Sequence, residues 1–363
     1  MSKLSVSSGI LDITPYVPGR QSAEGGDRLI LLSSNETPLG SSPLATAAYL
    51  EIAERLHRYP DGGAWDLRDA LAEHNGMAAA RITCGNGSDE LLTLLAQAYA
   101  ATGDEVLITE HAFAIYKIAA QAQGATPVIT PESGYTADVD ALLARATERT
   151  RICYLANPNN PTGTYIPSAE LRRLRAGLPE HTLLVIDAAY AEYMRRDDYE
   201  DGRALVDEGD NVVMTRTFSK IYGLCALRLG WMYAPESVVD VVNRIRGPFN
   251  VNAPAQAAGI AALRDSEFLE RAATFNERWI PRLETGIGGL GLHVHPSAAN
   301  FVLVEFPEAP GHTAADAYAF LLARGIVPRR LDNYGLPKCL RFSLGTEEEN
   351  SIVLRALGEL MAG

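Results

Sequence analysis

The chain has 363 residues, of which 47% are hydrophobic and 21% are charged, and its mean hydropathy is −0.04. This composition is that of a soluble globular protein, and a chain of this length buries enough surface to fold without disulfides or structural metals. The formal net charge of −13 excludes nucleic acid as the main ligand and any polybasic attachment to a membrane surface.

Two features of the sequence indicate a cytoplasmic location. The amino-terminal residues lack the apolar core of a signal peptide, and no apolar stretch approaches the ~18 residues that a membrane span needs. The cysteines also lack the close spacing of a zinc ribbon or a disulfide framework, which indicates reduced thiols. They are Cys84, Cys153, Cys225 and Cys339.

The first 45 residues show no strong periodicity and are rich in Ser, Gly and Pro. This pattern predicts an arm with loops, and we assign residues 1–45 to such an arm together with a segment of a smaller domain. Helical spacing follows, first in LATAAYLEIAERLHRY (44–59) and then in WDLRDALAEHNGM (65–77). The second stretch contains Asn75-Gly76, which predicts a helix end.

Residues 46–249 are predicted to form a large α/β domain. Short apolar runs alternate there with helical stretches, and the runs predict strands at 105–109, 126–130, 151–156, 182–187, 212–217 and 229–234. Because these runs are continuously hydrophobic, we expect a mostly parallel sheet with helices on both faces. Residues 250–363 contain longer helices followed by short strands, and they predict a smaller α+β domain.

The segment CGNGSDE (84–90) runs directly into a predicted helix. Its glycines allow the backbone to approach a ligand. Ser88 or Asp89 lies at the amino terminus of the helix, where free N–H groups attract an anion. The functional interpretation is a phosphate site, and a plain turn before a capped helix is the simpler alternative. The third glycine of a dinucleotide fingerprint is missing.

Two further motifs follow predicted strands. The prolines of NPNNPTG (157–163) predict a stiff turn at a strand end that faces the ligand crevice of an open α/β sheet, where the Asn160 amide could contact a cofactor. Asp187 closes the next predicted strand, and Tyr190 lies three residues further on. A buried carboxylate needs a partner, which a protonated pyridine nitrogen, an arginine or a helix end would each supply.

Lys220 follows another predicted strand and precedes a glycine-containing loop. It could form a Schiff base there, provided that its pKa lies well below the ordinary value of about 10.4. Thr217, Ser219 and Arg228 offer hydroxyl and guanidinium donors to a phosphate. A surface lysine is the commoner explanation of Lys220 alone. A phosphate site, an asparagine turn, a strand-end aspartate and a crevice lysine together are the parts that pyridoxal 5′-phosphate (PLP) requires.

With these motifs the chain resembles the fold-type I PLP-dependent aminotransferases, and within them the histidinol-phosphate branch. The resemblance covers essentially the whole chain and rests on LDITPY, SSNETPLG, RYPDGG, CGNGSDE, NPNNPTG, DAAYAEY, RTFSKIYGLCALRLGW and YGLPKCLRFSLGT. It implies a large PLP-binding α/β domain whose mostly parallel sheet lies between helices, and a smaller α+β domain. It also implies a homodimer with shared active sites.

The resemblance further implies a role for each candidate residue at the cofactor. Lys220 would carry PLP as a Schiff base and move a proton between the substrate Cα and C4′ of the cofactor. Asp187 would hold the ring nitrogen protonated, and Tyr190 would hydrogen-bond the ring oxygen O3′. The other contacts would come from Asn160 at O3′, Phe113 on the ring face, Ser88, Asp89, Thr217, Ser219 and Arg228 at the phosphate, and Tyr59 of the second subunit, also at the phosphate.

The substrate contacts and the reaction are implied in the same way. Arg341 would bind the α-carboxylate of glutamate or 2-oxoglutarate, and Tyr16, Asn35 and Arg329 would contact the amino substrate and its phosphate. The expected reaction transfers the amino group of L-histidinol phosphate to 2-oxoglutarate in histidine biosynthesis. The alternatives are an aromatic-amino-acid aminotransferase, a phosphothreonine decarboxylase and a non-enzymatic PLP-binding regulator. The regulator would need a basic DNA-binding segment, which the sequence lacks.

Two details of the sequence stand apart from this pattern. Arg330 follows Arg329 where the resemblance leads us to expect a proline, so the sequence does not tell which of the two arginines faces the substrate. His293 and His295 share one face of a predicted strand and are compatible with a metal. Because no third ligand is evident near them, we expect ordinary strand histidines and no metal site.

Overall fold

The computed structural model describes residues 6–23 and 28–363. The strands in these ranges are β1 (Ile30–Leu31), β2 (Ile82–Gly85), β3 (Glu105–Thr109), β4 (Thr126–Thr130), β5 (Glu132–Ser133), β6 (Thr136–Ala137), β7 (Thr150–Ala156), β8 (Leu183–Asp187), β9 (Val212–Thr217), β10 (Gly230–Tyr233), β11 (His293–His295), β12 (Phe301–Glu305), β13 (Ile326–Val327), β14 (Arg329–Arg330) and β15 (Cys339–Ser343). The α-helices are α1 (Pro43–Ile52), α2 (Trp65–Asn75), α3 (Ser88–Tyr99), α4 (Ala114–Ala122), α5 (Val139–Arg145), α6 (Ser168–Gly177), α7 (Arg203–Glu208), α8 (Glu236–Ile245), α9 (Ala253–Arg264), α10 (Ser266–Gly288), α11 (Ala314–Leu322) and α12 (Glu347–Ala362).

A seven-stranded sheet forms the centre of the molecule. Its strand order is β2-β10-β9-β8-β7-β3-β4, and neighbouring strands are parallel except at β10, which is antiparallel to both of its neighbours. Alternate residues of β8 enter different cores: Leu184 and Ile186 pack on one face of the sheet, and Leu183 and Val185 pack on the other. Both faces are therefore buried, and the predicted α/β architecture with a mostly parallel sheet is confirmed.

Most strands of this sheet lie where the apolar runs predict them. The predicted strands coincide with β3, β4 and β9, and they match β7, β8 and β10 to within one residue at each end. The pattern missed β2, because this strand has only four residues and its last two, Cys84 and Gly85, already belong to the glycine-containing segment. The predicted helix end is also observed, because α2 ends at Asn75 and Gly76 takes the left-handed conformation with φ of 64°.

The helix predicted at 44–59 is wrong in its last third. The α-helix α1 ends at Ile52, and irregular backbone follows from residue 56 to the start of α2. The apolar spacing was misleading because Leu50 and Leu56 are 61% and 70% exposed, so this chain does not bury the face on which the prediction depends.

A smaller four-stranded antiparallel sheet has the order β11-β12-β15-β14 and packs with α10, α11 and α12. The strand β1 pairs in parallel with β13, so Ile30 and Leu32 enter the core of this smaller unit. The boundaries predicted after residues 45 and 249 stay predictions; α9 and the first part of α10 pack in the core beside the large sheet. No helix within residues 6–23 and 28–363 is long and apolar enough to cross a membrane.

Candidate active site

A cleft opens between the carboxyl ends of the central parallel strands and the smaller sheet. Its volume is about 950 Å³ when the part open to solvent is counted. The structure brings together there all but one of the residues predicted for the site: Tyr16, Asn35, Ser88, Asp89, Phe113, Asn160, Asp187, Tyr190, Thr217, Ser219, Lys220, Arg228, Arg329 and Arg341.

The sheet topology explains why residues so distant in sequence meet. The strands β7, β8 and β9 are parallel neighbours, so their carboxyl ends lie at one edge of the sheet. The strand β8 ends at Asp187, β9 ends at Thr217 three residues before Lys220, and β7 leads into the turn at 157–163. Three motifs that are separate in the sequence therefore form one site.

The amino terminus of α3 forms an anion site at one end of the cleft. Its N-cap residue is Gly87, which provides no side-chain acceptor, so the first N–H groups of the helix remain available to a ligand. The Arg228 guanidinium lies beside them: Nη2 donates to Asp89 Oδ2 at 2.9 Å, and Nη1 donates to Ser219 Oγ at 3.4 Å. The Thr217 hydroxyl group lines the same end of the cleft.

Two glycines allow this anion site to be so compact. A Cβ on Gly230 would lie 2.2 Å from the Ser88 backbone nitrogen, and a Cβ on Gly87 would lie 2.6 Å from Arg228 Nη2. Arg228 itself has φ of 54°, a left-handed conformation that is costly for a residue with a side chain and that recurs at ligand sites. The resulting set of N–H, hydroxyl and guanidinium donors suits a phosphate.

Asp187 is a buried carboxylate held by two hydroxyl groups. The Tyr116 hydroxyl donates to Oδ2 at 2.7 Å, and the Thr215 hydroxyl donates to Oδ1 at 3.2 Å. Burial raises the pKa of Asp187 to about 6, while both hydroxyl donors act in the opposite direction. A protonated ring nitrogen placed against this carboxylate would supply the positive charge that its burial lacks.

Lys220 is partly buried, and its surroundings shift its equilibrium toward the neutral amine. Its Nζ donates to the Ser34 carbonyl oxygen at 3.2 Å and lies 5.8 Å from the centre of the Tyr190 ring. Burial, followed by the positive charge of Arg341, lowers the pKa of Lys220 to about 8. More of this lysine is neutral near pH 7 than of an ordinary lysine, which is what a nucleophilic amine requires.

Arg329 and Arg341 bring two positive charges into the cleft from the smaller sheet. They are directly opposed on β14 and β15 and are only 7% and 5% exposed. Arg341 donates to the Ser33 carbonyl oxygen at 2.8 Å and to Asn160 Oδ1, and Arg329 donates to the Val17 carbonyl oxygen at 2.5 Å. The Nε atom of Arg341 is buried without a hydrogen bond. Neither guanidinium pairs with a carboxylate among residues 6–23 and 28–363, so the pair can accept an anionic substrate.

Arg330 points away from the cleft. Its Nε donates to Asp332 Oδ2 at 2.8 Å, and its guanidinium lies 5.8 Å from the centre of the Tyr318 ring. Side chains alternate between the two faces of a strand, so consecutive arginines on β14 must face opposite ways. Arg329 is therefore the arginine that faces the site.

The remaining predicted residues form the walls of the cleft. Phe113 is the N-cap residue of α4 and contacts Tyr16 edge to face, with ring centres 6.5 Å apart. Asn35 Nδ2 donates to the Tyr190 hydroxyl at 2.8 Å, and Tyr190 is 2% exposed. Aromatic rings and side-chain amide groups therefore line the cleft that also contains the anion site and Asp187.

Comparisons with known proteins agree with this geometry. The model of the family "Aminotransferase class I and II" matches residues 27–357. The chain belongs to the class I and II aminotransferases. Histidinol-phosphate aminotransferases of Rhodospirillum centenum and Paramagnetospirillum magneticum are 56% and 55% identical to it, over 98% and 97% of both chains.

Solved structures place the fold in the same group. The crystal structure of histidinol-phosphate aminotransferase from Sinorhizobium meliloti, in complex with pyridoxal 5′-phosphate, has a TM-score of 0.89 and 29% sequence identity over 99% of both chains. An aspartate aminotransferase of Thermus thermophilus has a TM-score of 0.83 at 23% identity, which shows a shared fold alone. The predicted fold type I and the predicted resemblance are both confirmed.

The site of this aminotransferase fits PLP on the chemistry of its own donors. The uncapped end of α3 with Arg228 suits the phosphate, the buried Asp187 suits a protonated pyridine nitrogen, and Lys220 is an amine with a lowered pKa. The individual roles given to these residues stay predictions.

Tyr59 is the one predicted site residue that lies outside the cleft. Its side chain is 82% exposed and stacks on Phe249, with ring centres 4.6 Å apart. The resemblance assigns Tyr59 to the site of a second subunit, so its place outside the cleft of its own chain does not test that assignment.

Sequence reasoning also missed residues that line the cleft. Tyr116 holds Asp187, and Tyr334 lies near both arginines of the smaller sheet. Tyr116 is one helical turn after Phe113, and this spacing is the signal that could have revealed it. Tyr334 belongs to the YGLP segment, which supported the resemblance without suggesting a role.

We predict that Tyr116→Phe weakens PLP binding about ten- to a hundredfold, because a hydrogen bond to a charged group contributes roughly 1.5–3 kcal/mol. Without the hydroxyl donor the pKa of Asp187 rises, so less carboxylate faces the ring nitrogen. The dissociation constant of PLP from the purified variant, measured by absorbance, tests this. Tyr154→Phe is the matched control, because Tyr154 stacks on Tyr116 but donates to the Leu92 carbonyl oxygen. Equal losses in both variants would contradict the prediction.

The lowered pKa of Lys220 predicts how covalent capture of PLP by the apoenzyme depends on pH. Only the neutral amine attacks, so below pH 8 the rate should rise up to tenfold per pH unit, and above pH 8 it should level off. Stopped-flow absorbance at a series of pH values measures this rate, and Lys220→Ala serves as the blank. A rate that keeps rising to about pH 10, as for an ordinary lysine, would show that the pKa is not lowered.

Proposed function

We propose that this protein is a PLP-dependent aminotransferase that transfers the amino group of L-histidinol phosphate to 2-oxoglutarate, yielding imidazole-acetol phosphate and glutamate in histidine biosynthesis. The observation that carries the choice of substrate is the pair of buried arginines, Arg329 and Arg341, at the end of the cleft formed by the smaller sheet. The names of the relatives at 55–56% identity support the same choice.

The arginine pair suits both substrates of this reaction. Histidinol phosphate carries its charge on a phosphate, and 2-oxoglutarate carries it on carboxylates; a planar guanidinium binds either group through two parallel hydrogen bonds. Because Arg341 donates only to neutral oxygens within the described part of the chain, an arriving anion gains a charged partner without breaking an ion pair there. An aromatic amino acid would place its α-carboxylate on Arg341, but its uncharged tail would leave the Arg329 guanidinium buried and unpaired, which is costly.

The reaction needs a proton acceptor next to the substrate Cα. When bound, PLP supplies an electron-withdrawing ring that takes up the electron pair released at that carbon. Asp187 holds a proton on the ring nitrogen and keeps the ring electron-poor. Lys220, whose pKa of about 8 is close to working pH, moves the proton between Cα and C4′. Tyr190 orients the ring through its hydroxyl, which Asn35 holds in place.

The alternatives are not favoured. The amino donor of an aromatic-amino-acid aminotransferase has an uncharged side chain. It would therefore offer no side-chain anion to the arginine pair. A phosphothreonine decarboxylase from Porphyromonas gingivalis shares the fold at 24% identity, and that likeness shows the fold alone. A non-enzymatic regulator does not match relatives that are named as enzymes over nearly the full chain.

We also propose a cytoplasmic homodimer with shared sites. The stacked pair of Tyr59 and Phe249 is exposed at 82% and 43%, and exposed aromatic pairs are typical of surfaces that a partner covers. If the partner is a second copy, the phenol of Tyr59 is available to that copy's phosphate site.

We predict that Arg329→Gln raises KM for histidinol phosphate about ten- to a hundredfold, because it removes a charged hydrogen-bond donor from the phosphate. Arg330→Gln is the matched control, since its side chain points away from the cleft, and it should change KM by less than about twofold. Steady-state assays with both variants measure the difference. Equal losses with histidinol phosphate and with L-phenylalanine in Arg329→Gln would count against the assignment.

The half-reaction with single amino donors tests the proposed function itself. We expect the purified yellow enzyme to lose its visible absorbance rapidly with L-histidinol phosphate and much more slowly with L-tyrosine, L-phenylalanine and O-phosphothreonine. The product should be the keto compound, identified by mass spectrometry. Comparable rates with the aromatic amino acids would favour the aromatic aminotransferase, and a decarboxylated product would favour the decarboxylase. A colourless protein that stays silent after addition of PLP would remove the enzyme function.

A further inference from the structure

Three metal-ligating side chains converge on the smaller sheet. The nitrogen or oxygen ligand atoms of His293, His295 and Glu305 all lie within 4.8 Å of one another. None of the three lines the cleft. The sequence showed only the two histidines; the pairing of β11 with β12 supplies the third residue, ten positions after the second histidine.

The strand register accounts for this convergence. His293 and Glu305 are direct antiparallel partners, and His295 is two residues from His293 on the same strand. Side chains two apart on a strand share a face, and direct cross-strand partners have Cβ atoms about 4.5–5.5 Å apart. All three side chains therefore lie on one face, and the two imidazole rings are in contact, with centres 4.4 Å apart.

One buried atom of this cluster is only loosely paired. Within the described residues, the enclosed Nε2 atom of His295 makes no well-aligned hydrogen bond, and its ion-pair contact with Glu305 Oε2 is loose, at 3.4 Å. A buried polar nitrogen whose hydrogen bond is poorly made costs free energy, and a structure that retains one calls for an explanation. A metal ion between the two atoms would satisfy both. The distance agrees, because two ligands of a tetrahedral zinc ion at about 2.0–2.1 Å are roughly 3.4 Å apart.

We propose that His293, His295 and Glu305 bind one Zn²⁺ ion per chain. Two imidazole nitrogens and one carboxylate are a recognised zinc ligand set, with water in the fourth position. His293 is exposed, so its ring can turn toward the ion and solvent can reach the open position. Magnesium and calcium prefer oxygen ligands, so the two histidines select a transition metal.

A nearby thiol is not part of this ligand set. Cys339 lies opposite Glu305 on β15, but its side chain is buried and its sulfur is not among the converging ligand atoms. The Tyr135 ring packs against His295 edge to face, with ring centres 4.7 Å apart. It covers one side of the cluster and holds the orientation of that imidazole.

Zinc titration of the holoenzyme, with any affinity tag removed, tests the proposal. We expect isothermal titration calorimetry to show one high-affinity Zn²⁺ per chain, and we expect Zn²⁺ to raise the unfolding temperature because it binds the folded state. His293→Gln and Glu305→Gln should each weaken this binding by at least about tenfold, the loss typical even of changes next to the ligands. His181→Gln is the matched control, because His181 is an exposed histidine far from the cluster in sequence.

Two further measurements identify the ligands. Co²⁺ should give a visible d–d spectrum of low coordination number in the wild-type protein and in Cys339→Ser, but not in His293→Gln. Undiminished Zn²⁺ binding in His293→Gln and Glu305→Gln would overturn the proposal. Loss of binding in Cys339→Ser with retention in His293→Gln would place the metal on the thiol and would also overturn it. None of these readouts depends on transaminase activity, so they are independent of the proposed function.

Discussion

The site depends on charged groups that the fold buries without giving them an opposite charge. The Asp187 carboxylate is held by hydroxyl groups, and Arg341 donates to a carbonyl and an amide oxygen. Burying a charge without an ion-pair partner costs several kcal/mol, so the rest of the structure must offset that cost. The fully buried strands around the site do so. The unbalanced charges then define what can bind: a cation against Asp187 and anions against the arginines and the end of α3.

A short segment after β1 joins the two halves of this site. Its three consecutive residues each contact a different functional side chain: the Ser33 carbonyl accepts from Arg341, the Ser34 carbonyl accepts from Lys220, and the Asn35 side chain donates to Tyr190. Asn35 takes a left-handed conformation with φ of 55°, which asparagine tolerates better than most residues. The amino-terminal segment thus positions groups of the large sheet and of the smaller sheet relative to each other.

The sequence predicts those parts of the molecule that local pattern determines. Continuous apolar runs placed six strands of the central sheet, and strand-end motifs placed Asp187 and Lys220, because parallel strands bring their carboxyl ends to one edge. What the pattern missed depends on contacts across the chain. The helix α1 ends earlier than predicted because the chain leaves the apolar side chains of Leu50 and Leu56 exposed. The role of Tyr116 follows only from its hydrogen bond to Asp187. Glu305 lies beside the two histidines only because β11 pairs with β12.

The positive charges of the two halves are coupled. Arg341 lowers the pKa of Lys220, second only to burial, so a substrate anion on Arg341 neutralises part of the positive charge that lowers this pKa. The pKa of the amine then rises, and with it its strength as a base, at the moment when a substrate Cα lies in the cleft. An uncharged ligand would not produce this change. The arginine that recognises the substrate therefore also adjusts the base that acts on it, which links specificity to catalysis in one electrostatic interaction.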